Sequence, residues 1–257
     1  MGQAGGVEAV SDVEYAPAKL TLSLRLIGRR PDGMHLIDAE MITLELADIL
    51  TFSEGDDLTI TDEVAGAGSP LPVIDGGDNL VSRALRAVGR RASVHLVKRI
   101  PAGAGLGGGS ADAAAVLRWA GRANGSPSDV ALAASLGADV PFCVRGGRAR
   151  VTGIGDELSP LPCTAGEAYT LLTPPLPVPT AAAYRAWDDL GGPTGAGPND
   201  LEVAAMVIQP GLTEWRDRLA RETGQVPVLA GSGSTWWVRG AYPDVVGAVV
   251  THSVSPQ

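Results

Sequence analysis

The feature of this chain best suited to chemistry is a glycine run between Pro101 and Ser110. In Ile100-Pro-Ala-Gly-Ala-Gly-Leu-Gly-Gly-Gly-Ser110, residues Gly103, Gly105, Gly107, Gly108 and Gly109 carry no Cβ. Backbone N–H groups can therefore converge there, and a phosphate can come close. The run follows a strand-like segment, Val94 to Ile100, and precedes an alanine-rich helical segment, Ala111 to Ala123. A helix starting at that point adds unpaired N–H groups and the positive end of its dipole. Ser110 can cap the helix or donate to a phosphate oxygen. The lysine of a GxxxxGK[ST] loop is missing. Gly103, Gly105 and Gly108 fit a dinucleotide-binding pattern only formally, because no opening βα unit precedes them. A plain loop in a glycine-rich chain is the alternative; the position between strand and helix favours a phosphate cradle.

Lys19 and Lys98 are the only lysines, so each stands out. Lys19 opens an alternating segment to Ile27, with Leu20, Leu22, Leu24 and Leu26 on one face and Thr21, Ser23 and Arg25 on the other. A turn follows at Arg30-Pro31-Asp32-Gly33, then strand-like runs at 37–46 and 49–60, broken near Glu54-Gly55-Asp56. Residues 63–77 read as a surface loop or ragged hairpin. Asp78 is placed to cap a helix carrying Leu80, Val81, Ala84, Leu85 and Val88. Ser126-Pro127 starts another helix, with Asp129 in its first turn and its end near Leu136-Gly137. Short strands are expected at 142–144 and 149–152, and a linker at Pro160-Leu161-Pro162. The second half reads as a strand at 168–173, a proline-rich loop at 174–179 and helices near 180–190, 200–208 and 211–222. A strand at 226–229, a second glycine loop, a strand at 235–239 and a helix at 242–252 complete it. Hairpins early and helices later indicate an α+β fold.

Hydrophobic residues make up 45% of the 257, enough for a sizeable core, and the length suits two modest domains sharing a cleft. With aromatics at 4%, that core must be largely aliphatic. The net charge of −9 argues against a nucleic-acid partner but leaves room for a local anion site. Cys143 and Cys163 form no metal or redox spacing and read as free thiols in a reducing compartment. The acidic N-terminus, with Glu8, Asp12 and Glu14, shows no secretory pattern, and no apolar run is long enough to span a membrane.

Pro101-x-Gly-x-Gly-Leu-Gly-Gly-Gly-Ser-Ala-Asp-Ala-Ala114 resembles the central motif of the GHMP kinases, the galactokinase, homoserine, mevalonate and phosphomevalonate kinase superfamily. Further blocks come in family order: Ala16-Pro-Ala-Lys19, Gly28-Arg-Arg-Pro-Asp-Gly33-Met-His35, Asp78-Asn79-Leu80, Gly137-Ala-Asp139-Val-Pro-Phe142, Gly153-Ile-Gly155-Asp-Glu157, Pro198-Asn199-Asp200-Leu201 and Gly231-Ser-Gly233. They span residues 13 to 240 or so, and are most similar to the branch serving non-mevalonate isoprenoid synthesis, whose alcohol substrate carries a cytidine diphosphate. The resemblance implies an N-terminal α+β domain over 7–158 and a ferredoxin-like C-terminal domain over 163–257, with ATP and substrate meeting between them. It implies transfer of the γ-phosphate to a tertiary 2-hydroxyl. From charge, cysteine usage and the lack of a signal or spanning segment, a cytoplasmic protein with no nucleic-acid or membrane partner is expected, as a monomer or homodimer.

By that match Asp139 is the base that takes the hydroxyl proton. Its plainer reading is a helix cap or structural ion pair. Lys19 stands beside it and meets developing negative charge; otherwise it is a strand lysine facing solvent. Nucleotide contacts fall on Pro101, Gly103, Gly105, Leu106, Gly107, Gly108, Gly109 and Ser110, with Asn79 toward the adenosine. His35 touches the cytosine, Thr180 and Tyr184 line the cytidine pocket, and Gly231, Ser232 and Gly233 shape the rim of the phosphate site or form a plain turn. Magnesium neutralises the nucleotide phosphates; the sequence shows no carboxylate cage, so no residue is expected as a dedicated metal ligand. Two departures fall in the substrate pocket. Met34 stands where the family has tyrosine, and Thr21 where it commonly has asparagine; Ser234-Thr235-Trp236-Trp237 is also bulkier than usual. These leave open a GHMP kinase for a different alcohol; an inactive nucleotide-binding homologue is the further alternative, against which Lys19 and Asp139 speak.

Overall fold

The computed structural model describes residues 12–74, 76–195 and 197–256; residues 7–11, which open the expected first domain, lie outside them. Strand β1 (Asp12–Arg29) and strand β2 (His35–Ser53) form a long antiparallel pair. The 30–33 turn joins them, with Gly33 at φ +89 and its N–H donating to the Arg30 carbonyl. The expected break between residues 46 and 49 does not occur: β2 runs straight through and pairs with β4 and β5 at its two ends. The break at 54–57 does occur, before β3 (Leu58–Asp62). Helix α1 (Leu80–Val88) is capped by Asn79, whose Oδ1 accepts from Val81 N at 2.8 Å. Asp78, expected as the cap, lies in the preceding 3-10 turn.

Strand β4 (Ser93–Lys98) leads through the glycine run into helix α2 (Gly108–Trp119). The helix starts three residues before the expected Ala111, so Ser110 sits in its first turn and does not cap it. Ala111 through Leu117 are all buried, because small side chains let α2 lie close to β1 and its neighbouring helices. Helix α3 (Pro127–Leu136) starts as expected at the Ser126 cap. Residues 140–145, expected to hold a strand, form helix α4 (Val140–Arg145). Val140, Phe142 and Val144 alternate like a strand, but Pro141 cannot donate to a ladder and Gly146 at φ +68 ends the turn.

Strands β5 (Arg148–Thr152) and β6 (Glu157–Leu161) complete a six-stranded sheet ordered β3-β4-β2-β5-β6, with β1 on β2. Pro160 and Leu161 belong to edge strand β6, a place that tolerates a missing N–H, so the passage to the second sheet runs through 162–167. That sheet contains β7 (Ala168–Leu172), followed by α5 (Thr180–Asp189), α6 (Glu202–Ile208) and α7 (Leu212–Thr223). Its other strands are β8 (Val228–Leu229), β9 (Trp236–Arg239) and β10 (Ala248–His252), in the order β10-β7-β9-β8. The expected final helix is instead β10. Pro243 and Gly247 interrupt any helix there, and Val249, Val250 and Thr251 are β-branched. Tyr169, Leu171, Ala230 and Trp237 from this half join the main core of the first half, so the halves share apolar packing.

Candidate active site

Strand β1 is irregular where it matters most. Its register on β2 shifts between Pro17 and Lys19 and again between Thr21 and Ser23. Such bulges turn a strand and re-aim its side chains. The freed Lys19 N–H donates to the Leu106 carbonyl at 3.0 Å, joining the strand to the glycine loop. Lys19 and Thr21 then face a cleft of about 930 Å³ running between the halves. Lys19 is 5% exposed, and its Nζ lies 3.3 Å from Asp139 Oδ2 and donates to Thr21 Oγ1 at 3.2 Å. Asp139 stands just before α4 but makes no capping bond through its side chain, which leaves the carboxylate to the cleft and to Lys19.

The glycine loop is pinned from three sides. Ala102 O accepts from Leu71 N, Leu106 O from Lys19 N, and Ala104 O from Thr235 N. Gly103, Gly105 and Gly107 all have φ between +70 and +80. A Cβ at Gly103 would meet Leu71 Cβ at 3.1 Å, one at Gly105 would run into the Ala230 carbonyl, and one at Gly107 would stand 2.7 Å from Lys19 Cγ. The glycines thus serve close protein packing and keep the loop backbone open toward the cleft. Beyond them α2 presents its first-turn N–H groups to the cleft, a ready anion site.

The second glycine loop closes the opposite wall. Asn199 Nδ2 donates to the Leu229 and Gly231 carbonyls at 2.8 and 2.7 Å, fixing this loop. Gly231 leaves room for the ammonium: a Cβ there would lie 3.4 Å from Lys19 Nζ. Ser232 Oγ pairs with Thr180 Oγ1 at 2.9 Å, which ties the rim to α5. At the far end, His35 Nε2 lies 2.8 Å from Asp188 Oδ1, with the Tyr184 ring 4.9 Å and the Trp187 ring 5.8 Å from its own. Burial, then the Asp139 charge, pushes the Tyr184 hydroxyl up to about 12, so it stays protonated.

Every residue expected in the site lines this cleft except Leu106, which is buried in the core and reaches the site only through its carbonyl. Asn79 lines it with its amide engaged in the α1 cap and in a 2.6 Å bond to the Ile74 carbonyl. Sequence reasoning missed two groups. Arg29 and Asp188 stand beside His35, and Asp48, Lys98 and Asp112 form a buried cluster under the loop. Asp48 accepts from Arg99 N, Ile100 N and Lys98, while Lys98 also donates to Asp112 Oδ2 at 2.8 Å. Burial, only partly offset by Lys98, pushes Asp112 up to about 8; Asp48 adds to the rise. Burial would lower Lys98, but Asp112 and Asp48 outweigh it and leave Lys98 raised. That Lys98 was one of two lysines was the available signal, without a partner to give it meaning. Among the described residues no group of three or more His, Cys, Asp and Glu side chains could hold a metal ion.

A cleft with a glycine loop, a helix N-terminus and a lysine–carboxylate pair is that of a GHMP kinase, and the family model "GHMP kinases N terminal domain" matches residues 79–147. A relative from Paracoccus denitrificans (strain Pd 1222), "4-diphosphocytidyl-2-C-methyl-D-erythritol kinase", is 35% identical over 241 residues, covering 86% of this chain and 84% of its own. One of the same name from Rhizorhabdus wittichii (strain RW1) is 38% identical, covering 86% and 83%. The crystal structure of a 4-(cytidine 5'-diphospho)-2C-methyl-D-erythritol kinase superposes with a TM-score of 0.73 at 31% identity, over 94% of this chain and 99% of that one. The homoserine kinase of Cytophaga hutchinsonii shares the fold, with a TM-score of 0.60 at 18% identity over 100% and 98%. The chain belongs to the 4-diphosphocytidyl-2-C-methyl-D-erythritol kinase family of small-molecule kinases.

Proposed function

We propose that this chain transfers the γ-phosphate of ATP to the 2-hydroxyl of 4-diphosphocytidyl-2-C-methyl-D-erythritol. The observation that carries this reading is the Lys19–Asp139 pair, 3.3 Å apart, facing the cleft beside the first turn of α2. The α2 N-terminus and the loop at 101–110 hold the nucleotide phosphates. Asp139 accepts the proton of the attacking hydroxyl, whose oxygen bonds to phosphorus as the bond to ADP breaks. Lys19 donates to the oxygen on which charge builds. Magnesium, bound through the nucleotide, supplies neutralisation of the β and γ phosphates. His35, Tyr184, Thr180, Thr21 and Met34 form the substrate end, and Gly231, Ser232 and Gly233 the rim of the phosphate site. The flexible thioether of Met34 can pack against a ring where the family has tyrosine.

The bounds 7–158 and 163–257 for the two domains belong to the same reading, supported by the passage between sheets at 162–167. A cytoplasmic monomer or homodimer, with no nucleic-acid partner, completes it. Among the described residues no helix is long and apolar enough to cross a membrane. Measuring ADP release with the cytidine substrate and with a panel of other alcohols tests the proposal. Turnover confined to the cytidine substrate is expected. Preference for another alcohol would replace the substrate, and ATP binding without turnover of any would reject catalysis.

A further inference from the structure

We infer that Asp188 is a positioning residue for base selection: by holding His35 at Nε2, it leaves Nδ1 as the ring nitrogen that reads a pyrimidine. The inference rests on the cytidine reading proposed above and adds a residue and a rule of selectivity to it.

The geometry restricts the imidazole closely. His35 Nε2 and Asp188 Oδ1 are 2.8 Å apart, and the His35 side chain is 11% exposed. The ring lies against Tyr184 with a 35° tilt and meets Trp187 edge-on at 82°. Trp187 is itself anchored, its Nε1 donating to the Pro193 carbonyl at 2.9 Å. A half-turn of the imidazole would put carbon where Nε2 now sits and sacrifice the bond to Asp188. The carboxylate is fixed as well: Asp188 Oδ2 stands 3.5 Å from Arg29 Nη1, while Arg29 Nε donates to the Gly33 carbonyl at 3.0 Å. Asp188 therefore ties α5 to the turn between β1 and β2, across the substrate end of the cleft.

A carboxylate only accepts, so the shared proton sits on His35 Nε2. In the neutral ring that assignment leaves a lone pair on Nδ1. Among the described residues Nδ1 has no hydrogen-bond partner, and His35 lines the cleft. Cytosine presents an exocyclic amine, a donor, where uracil presents a carbonyl, an acceptor. A lone pair at Nδ1 satisfies the first and repels the second. Without the carboxylate the ring can carry its proton on either nitrogen, and the discrimination weakens.

The test compares kcat/KM for the cytidine substrate and its uridine counterpart at about pH 8, where an ordinary imidazole is neutral. The proteins are the wild type, Asp188→Asn, Asp188→Ala and Asp188→Glu. Wild type should favour cytidine. Asp188→Asn and Asp188→Ala should lose about tenfold or more of that preference, through KM for the cytidine substrate, with ATP affinity held within about twofold; Asp188→Glu should restore part of it. In ¹⁵N spectra of the wild type, His35 should show protonated Nε2 and unprotonated Nδ1, giving way to mixed tautomers in Asp188→Ala. Variants that keep the full preference, or a wild type protonated at Nδ1 alone, would overturn this inference while leaving the cytidine reading standing. A wild type without preference for cytidine would overturn both.

Discussion

Gly105 and Ala230 fit against each other so closely that a Cβ on the first would run into the carbonyl oxygen of the second, with the Gly233 carbonyl a further 2.9 Å neighbour. This contact brings the two glycine loops, distant in sequence, together across the cleft. Gly105→Ala, at φ +80, should therefore destabilise the protein by about 2 kcal/mol or more, from backbone strain plus the collision. Thermal melts of wild type and variant measure it. An unchanged melting temperature would mean that the loops do not meet as described.

Gly107 constrains Lys19 in the same way, since an added Cβ would lie 2.7 Å from Lys19 Cγ. Gly107→Val is expected both to weaken ATP binding and to lower turnover at saturating ATP by about tenfold or more, as the lysine is pushed from Asp139. Nucleotide titration and steady-state rates separate the two effects. If both stayed at wild-type values, the loop would not hold the nucleotide.

Asp112 should leave a mark on the pH dependence of stability. Its pKa in the folded chain, about 8, lies above the ordinary carboxylate value, so the folded state binds that proton more tightly than the unfolded state. The resulting stabilisation is complete at low pH and is lost as pH rises through about 8. Asp112→Asn removes the titration and keeps a neutral side chain near Lys98. Melting temperatures taken from about pH 5 to about pH 9 should show wild type losing stability relative to the variant. Parallel curves would show that Asp112 does not titrate in this range.

The parts of the site that could be read from the sequence are those whose chemistry is local. The glycine loop announces itself because side-chain-free residues between a strand and a helix have a physical meaning wherever they occur. Even so, the contacts with Leu71, Lys19 and Ala230 that also demand glycine were not readable, since they depend on folding. Lys19 and Asp139 lie far apart in sequence, and only the order of motif blocks along the chain related them. Asp188 had no such guide: it is one of two adjacent acids ending α5, and its partner His35 is 153 residues away. The misread elements share a cause as well. Val140, Phe142 and Val144 mimic a strand's alternation in a turn and a half of helix, while the β-branched residues after Gly247 pair with β7 although their surroundings read as helical. Apolar spacing alone could not decide either segment; Pro141, Pro243 and Gly247 were the better signals.

The proposed activity depends on Asp139, held beside Lys19, taking the proton from the substrate hydroxyl. Single-turnover phosphoryl transfer by Asp139→Asn, alongside its ATP dissociation constant, tests this most directly. The expected result is a rate lower by about two to four decades with ATP affinity essentially retained. A rate close to that of the wild type would contradict it.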